Sequence, residues 1–301
     1  MQANAASTGG LIPSSVSPFG TDPISQILGG IVFVAILFFG LSIAEYVYGT
    51  FLAMWRDRVE LFPNTYASGA KMYTAVQNPS FPKAKTVKFS DNQRYGVEFS
   101  YAMFCYISSD TFSSNQHKLY HILHKGYSRP YPLLGPGIFC WGDKNCLRVY
   151  MNCFDTWTNW TEVENIPVDK WFHLVVSCRG NQLYVYINGN IKQKVRLMGD
   201  TPPYQNYGDV YVFSPRKLSV QKTTTVSLEK DMSFFQDQSM TSLEFDGSAK
   251  GYVSRVFYFS YALSYTEIQA LMGMGPSNIM EGVDLSISPY LADRWWVDKQ
   301  A

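Results

Sequence analysis

QLYVYINGNIKQKVRL, residues 182–197, decides the fold class. Leu183, Val185 and Ile187 alternate with Tyr184 and Tyr186, the period of two that sends successive side chains to opposite faces of a strand. Asn188-Gly189 follows, two residues that tolerate the positive φ of a tight hairpin turn, and the chain then returns as a second strand. Asn188 and Gly189 are turn residues by this reading, and Asn188 is not expected to hold a ligand.

Outward from the hairpin the pattern repeats. VKFS, YGVEFSYAMFCYI, YHILHKG, GIFCW, LRVYMNCF, WFHLVVSC, DVYVF, MTSLEFDG and YVSRVFYF are short apolar runs rich in strand-forming residues and divided by turns. No helical pattern alternates with them, so the expectation is an all-β protein, an antiparallel two-sheet jelly-roll sandwich. One short helix is expected at 264–271, where Ser264 and Glu267 have the capping-box spacing.

Residues 27–44, ILGGIVFVAILFFGLSIA, carry no charge, and with the following residues reach the roughly 30 Å of a hydrocarbon core. A transmembrane helix is therefore expected over 24–48. It has no basic stretch before it, as a cleaved signal peptide would need, and no polar face, as an interfacial helix would need. Arg56 and Arg58 follow the span while only Asp22 precedes it. The positive-inside rule then puts the N-terminus on the lumenal or exterior side and the large domain in the cytoplasm, as a single-pass membrane protein. The expected organisation is a flexible arm over 1–23, the helix, a Pro-containing connector over 49–84, the domain over 85–272, and an extension over 273–301. In that extension Trp295-Trp296 either docks on a neighbour or packs back on the domain.

Composition excludes several functions. With 25 basic and 24 acidic residues and no basic cluster interleaved with aromatics, nucleic-acid binding is not expected. Five cysteines without a CxxC pair argue against a complete disulfide framework and a four-thiolate zinc site, leaving one or two disulfides open. A cytoplasmic domain would keep those thiols reduced and leave the sequon Asn159-Trp160-Thr161 unmodified. Glu244 and Asp246 share a strand face, but Ser248 and Ala249 stand where a third carboxylate would complete a sugar-hydrolase pattern. Glu162 and Glu164 alternate in a stretch that reads as a solvated loop. His117, His121 and His124 would align for zinc only on a helix, and on the expected strand His121 and His124 face opposite ways. No catalytic residue, cofactor site or metal site is expected.

VDKWFHLVVSCRGNQLYVYINGNIKQ (168–193) and GYVSRVFYFSYALSYTEIQALM (251–272) stand in the chain in that order. Together they resemble the laminin-G-like, concanavalin-A-like jelly-roll superfamily over about residues 85 to 272. Trp171, His173, Tyr186, Asn188, Gly189 and Glu267 carry the match. The resemblance implies a sandwich that binds glycans or proteins, with some relatives that hydrolyse glycosides. Structural roles account for the matched residues: Trp171 reads as core or sheet-edge packing rather than a sugar platform, and His173 as a hydrogen-bonded strand histidine. An anchor joined directly to such a domain also resembles the membrane-associated minor capsid proteins of large icosahedral DNA viruses. That architectural resemblance implies a structural protein linking a protein shell to an internal membrane in a virion, with the lipid bilayer and major and minor capsid proteins as partners. The alternative it leaves is a membrane-tethered, lectin-like module with a glycan partner.

Overall fold

The computed structural model describes residues 22–90, 96–114, 116–154, 157–197, 202–222 and 241–282. The chain divides into two units, residues 1–56 and 57–301. In the first, α1 runs over Pro23–Arg56. Within its stretch Pro23–Gly49 an 18-residue window has a mean hydropathy of 2.7, and the stretch is long and apolar enough to cross a membrane. The helix extends eight residues past the expected end at 48, because Thr50 to Arg56 contains no Pro or Gly to stop it.

The second unit is a sandwich of two sheets, mostly antiparallel. Its strands are β1 (Arg58–Ala67), β2 (Tyr73–Ala75), β3 (Glu98–Ile107), β4 (Leu119–Gly126), β5 (Leu134–Trp141), β6 (Cys146–Asn152), β7 (Thr158–Glu164), β8 (Trp171–Arg179), β9 (Gln182–Ile187), β10 (Asn190–Arg196), β11 (Asp209–Val212), β12 (Lys217–Gln221), β13 (Ser242–Ser248) and β14 (Gly251–Phe259). One sheet has the order β1-β14-β3-β8-β9-β10. The other runs β12-β13-β4-β5-β6-β7, with β11 paired to β4 and β2 to β11. The edge of β4 is shared: β11 pairs with it antiparallel over Leu123–Gly126, and β13 pairs in parallel at Leu119 and His121.

The expected hairpin is present. Asn188 and Gly189 have φ of 49° and 77°, and Leu183, Val185 and Ile187 are buried between the sheets. Tyr184 and Tyr186 lie on the outer face, their rings 6.4 Å apart. Between the sheets, Phe99, Tyr101, Met103, Phe172, Leu174 and Val176 meet Ile122, Ile138, Leu147 and Val149. The helix α2 (Tyr265–Gly273) covers part of the first sheet's outer face, packing Ile268 and Leu271 on Ala102, Val175, Phe257 and Phe259. A fully buried Leu side chain contributes about 1.5–3 kcal/mol relative to an exposed one, so α2 is held mainly by this apolar contact.

Several expectations give way. The connector over 49–84 instead supplies the end of α1, then β1 and β2; Pro63 is tolerated because β1 is an edge strand. VKFS (87–90) is not a strand. Its Val87 is held by the Gln77 side chain, whose Oε1 accepts the Val87 N–H at 3.0 Å. Thr158 to Glu164 forms β7 rather than a loop, because its seven residues pair in continuous register with β6. The sequon lies in this strand, with Asn159 and Thr161 buried. All five cysteines are buried free thiols, and burial pushes the Cys146 thiol up to about 12.

Candidate functional site

Three aromatic residues form a row across one end of the first sheet. Tyr252 at the start of β14 lies opposite Tyr106 at the end of β3, which lies opposite Trp171 at the start of β8. Ring centroids are 5.7 Å apart for Tyr106–Tyr252, 5.8 Å for Tyr106–Trp171 and 6.2 Å for Trp171–Tyr252. Cross-strand aromatic pairs of this kind stabilise a sheet. Trp171 nonetheless keeps 37% of its surface exposed, so the row both packs and presents a face. Polar groups edge it: Ser109, Asp110, Asp169, Lys170 and Lys250 are exposed in the adjoining turns. These turns are fixed by the bond from Asp169 N–H to Ile107 O at 2.9 Å, from Ser109 N–H to Asp169 Oδ1 at 3.1 Å, and from Ser108 N–H to Lys250 O at 2.9 Å.

The other residues of the resemblance lie in β8, β9, the β9–β10 turn and α2. Asn188 Oδ1 accepts the His173 N–H at 2.9 Å, and the Asn188 N–H returns a bond to His173 O at 2.9 Å. Gly189 admits the tip of Gln269 from α2, since a Cβ there would stand 2.1 Å from Gln269 Nε2. Ser264 caps α2: its N–H donates to Glu267 Oε2 at 2.7 Å, and Glu267 Oε1 accepts from the Tyr261 hydroxyl at 2.8 Å. Tyr186 packs against this same outer cluster. His173 departs from the expected hydrogen-bonded histidine. It is 2% exposed, 4.9 Å from the Phe104 ring, and its Nδ1 has no partner among the described residues. Burial holds its pKa down at about 4. Trp295 and Trp296, the expected docking pair, lie outside the described residues.

His121 and His124 do not face opposite ways. The register of β4 shifts on both sides of Leu123, and the irregularity brings the two imidazoles together, His121 Nε2 to His124 Nδ1 at 2.6 Å. His121 Nδ1 accepts the Ser214 N–H at 2.9 Å, and His124 Nε2 donates to Tyr127 O at 2.7 Å. The chain fixes both tautomers: Nε2 is the donor on each ring, and neither has a nitrogen left for a metal. Burial holds both imidazoles neutral, His124 down at about 4 and His121 also well below the usual range. His117 stands apart from the pair, stacked on Trp141 at 4.1 Å and paired with Asp143 at 2.6 Å.

The carboxylates are engaged by cations. Burial pushes the Glu162 carboxyl up, but its hydrogen bond with Lys144 and the charge of Arg148 outweigh that and hold it below the usual range. It accepts from Lys144 at 2.9 Å, Arg148 Nε at 3.0 Å and Trp141 Nε1 at 2.6 Å. Arg148 is fully buried, with its guanidinium 4.1 Å from the Trp160 ring and 4.8 Å from that of Trp141. Glu244 meets Lys118 at 3.3 Å, while Asp246 meets Lys217 at 2.6 Å and Lys118 at 3.8 Å. The hydrogen bond from Lys217 holds Asp246 below the usual range. Glu162 and Asp246 are thus both held as carboxylates by their cation partners.

Residues 81–214 match the family model of the Concanavalin A-like lectin/glucanases superfamily. No curated protein sequence matches the chain. Among solved structures, the chain is similar to the botulinum neurotoxin serotype D binding domain, at 12% identity over 70% of this chain and 42% of that one, with a TM-score of 0.43. It is similar also to the binding domain of Paraclostridial Mosquitocidal Protein 1, at 10% identity over 70% and 42%, with a TM-score of 0.44. A third is a Trypanosoma rangeli sialidase, at 14% identity over 71% and 28%, with a TM-score of 0.42. The chain thus spans less than half the length of each. The minor-capsid expectation finds no support among these matches. What the family model and the sheets support together is a distant form of the concanavalin-A-like sandwich, with one membrane-length helix among the described residues.

Proposed function

We propose that the protein is a membrane-tethered glycan-binding module that seats a sugar ring on Trp171, with Tyr106 and Tyr252 beside it. The observation that carries this is the part-exposed aromatic row at the sheet end away from the start of β1. Ala67, the last residue of β1, pairs with Tyr252, and Arg58, the first, pairs with Phe259. An indole face accepts the C–H bonds of a pyranose, and the polar groups of the adjoining turns suit its hydroxyls. The family match supports the reading, and the ion-paired carboxylates favour binding over hydrolysis. Arg56 and Arg58 after the span keep the domain on the cytoplasmic side in this proposal, so the ligand is a carbohydrate reachable from there.

The test is binding of the full chain, held in nanodiscs, to a broad glycan panel, compared with Trp171→Ala. Retained glycans should bind the variant at least about tenfold more weakly, a loss of about 1.4 kcal/mol. A panel without a single glycan bound, or binding that Trp171→Ala leaves unchanged, overturns the proposal.

A further inference from the structure

We propose that the opposite end of the sandwich, where the chain enters β1, docks into the headgroup layer of a lipid bilayer through exposed aromatic side chains. Strand register defines that end. In the first sheet Arg58 lies opposite Phe259, Phe259 opposite Ser100, and Glu98 opposite Arg179. In the second, Gly126 lies opposite Leu134 and Asp209, and Asn152 opposite Thr158. The two sets are tied together: the Tyr258 hydroxyl donates to Lys88 O at 2.6 Å, and Ser90 N–H donates to Gln205 Oε1 at 2.8 Å. The described loop residues 76–90, 127–133, 153–154, 157 and 202–208 therefore share one end.

These loops hold large apolar groups in water. Tyr207 is 82% exposed, and Phe81, Tyr127 and Phe154 are each 57% exposed. Two of them make ring contacts with neighbouring aromatics: Tyr207 lies 4.7 Å from Phe89, and Phe154 lies 5.2 Å from Tyr204, which lies 5.4 Å from Trp157. Lys83, Lys88 and Arg129 are exposed in the same loops. Aromatic rings with basic side chains form the composition that settles at a membrane interface, the rings at headgroup depth and the cations against anionic lipid. Scattered exposed apolar residues are ordinary on a soluble surface. The occupant here follows from connectivity. Asp57 alone separates the last residue of α1 from the first of β1, so a bilayer crossed by α1 has this end of the domain as its covalent neighbour.

The native cysteines are all buried, which lets an introduced surface cysteine be labelled selectively. Ser80→Cys and Ser128→Cys place a fluorophore among the loops without removing an aromatic, and Asn190→Cys places one at the other end. Each full-length variant is reconstituted into phosphatidylcholine–phosphatidylserine vesicles containing a lipid with a nitroxide in its headgroup. Docking gives severalfold stronger quenching at 80 and 128 than at 190. Adding Tyr127→Ser, Phe154→Ser and Tyr207→Ser, all at exposed positions, should bring the loop signals down towards that of the control. Equal quenching at the two ends overturns the proposal. So does strong loop quenching that survives the three serines, because the tether alone then accounts for it.

Discussion

Acid should unfold this domain through His173, and the share of that one residue can be worked out. The ring is buried against Phe104 with Nδ1 unpartnered, so protonation would place a charge where nothing offsets it. Its pKa is about 4 in the folded chain against an ordinary 6.5. Above pH 6.5 both folded and unfolded chains hold it neutral, and its contribution to stability is fully present. As pH falls through 6.5 the unfolded chain takes up a proton that the folded one refuses, and stability is lost until the folded pKa is reached. Linkage gives a loss of about 2 kcal/mol by pH 5 and about 3 kcal/mol by pH 4. The assay is guanidinium unfolding of the detergent-solubilised chain, followed by tryptophan fluorescence at pH 7 and pH 5. His173→Phe should shrink the difference in stability between those two pH values by about 2 kcal/mol, whatever its effect at pH 7. His121 and His124 titrate in the same direction and remain in the variant, so a residual slope is expected. A variant whose stability falls with acid as steeply as the parent's would refute the assignment of a buried, neutral His173.

Two further changes probe the packing in the same unfolding assay. Arg148→Ala removes a fully buried cation from Glu162, Trp141 and Trp160 and should cost about 3–5 kcal/mol; a loss below about 1 kcal/mol would mean that the guanidinium is not held as described. Gly251→Ala should cost more than about 2 kcal/mol, because φ is +147° and the new Cβ would stand 1.9 Å from Tyr106 O; a neutral result would mean that β14 starts differently.

What was legible in the sequence is what local chemistry dictates. Asn188-Gly189 announces its turn because few residues accept φ of 49° and 77° in succession, and Ser264 with Glu267 announces the start of α2 by its capping pattern. The face of His124 was not legible. Strict alternation sends it away from His121, and only an irregular register against β5 brings them together. β1 and β2 were hidden for another reason: Pro63 and the turn residues around them read as connector, and their partners lie far along the chain at β14 and β11. Trp171 reads from the sequence as core or sheet-edge packing, and its 37% exposure is a tertiary matter that no local pattern encodes. The pairing of β7 with β6 is likewise long-range information that Thr158 to Glu164 does not display.

Burial of the Asn159 tripeptide inside β7 also governs how sidedness can be measured. A sugar attached to Asn159 before folding would have no room in the finished sheet, where Asn159 and Thr161 are each 5% exposed. A folded molecule therefore runs unshifted on a gel from either side of the membrane, and its natural acceptor is silent as a reporter. Lys192→Thr creates a usable one, beginning at the exposed Asn190 of the β9–β10 turn. Modification there would report a lumenal domain, and its absence in a chain that passes the secretory membrane would report the cytoplasmic one.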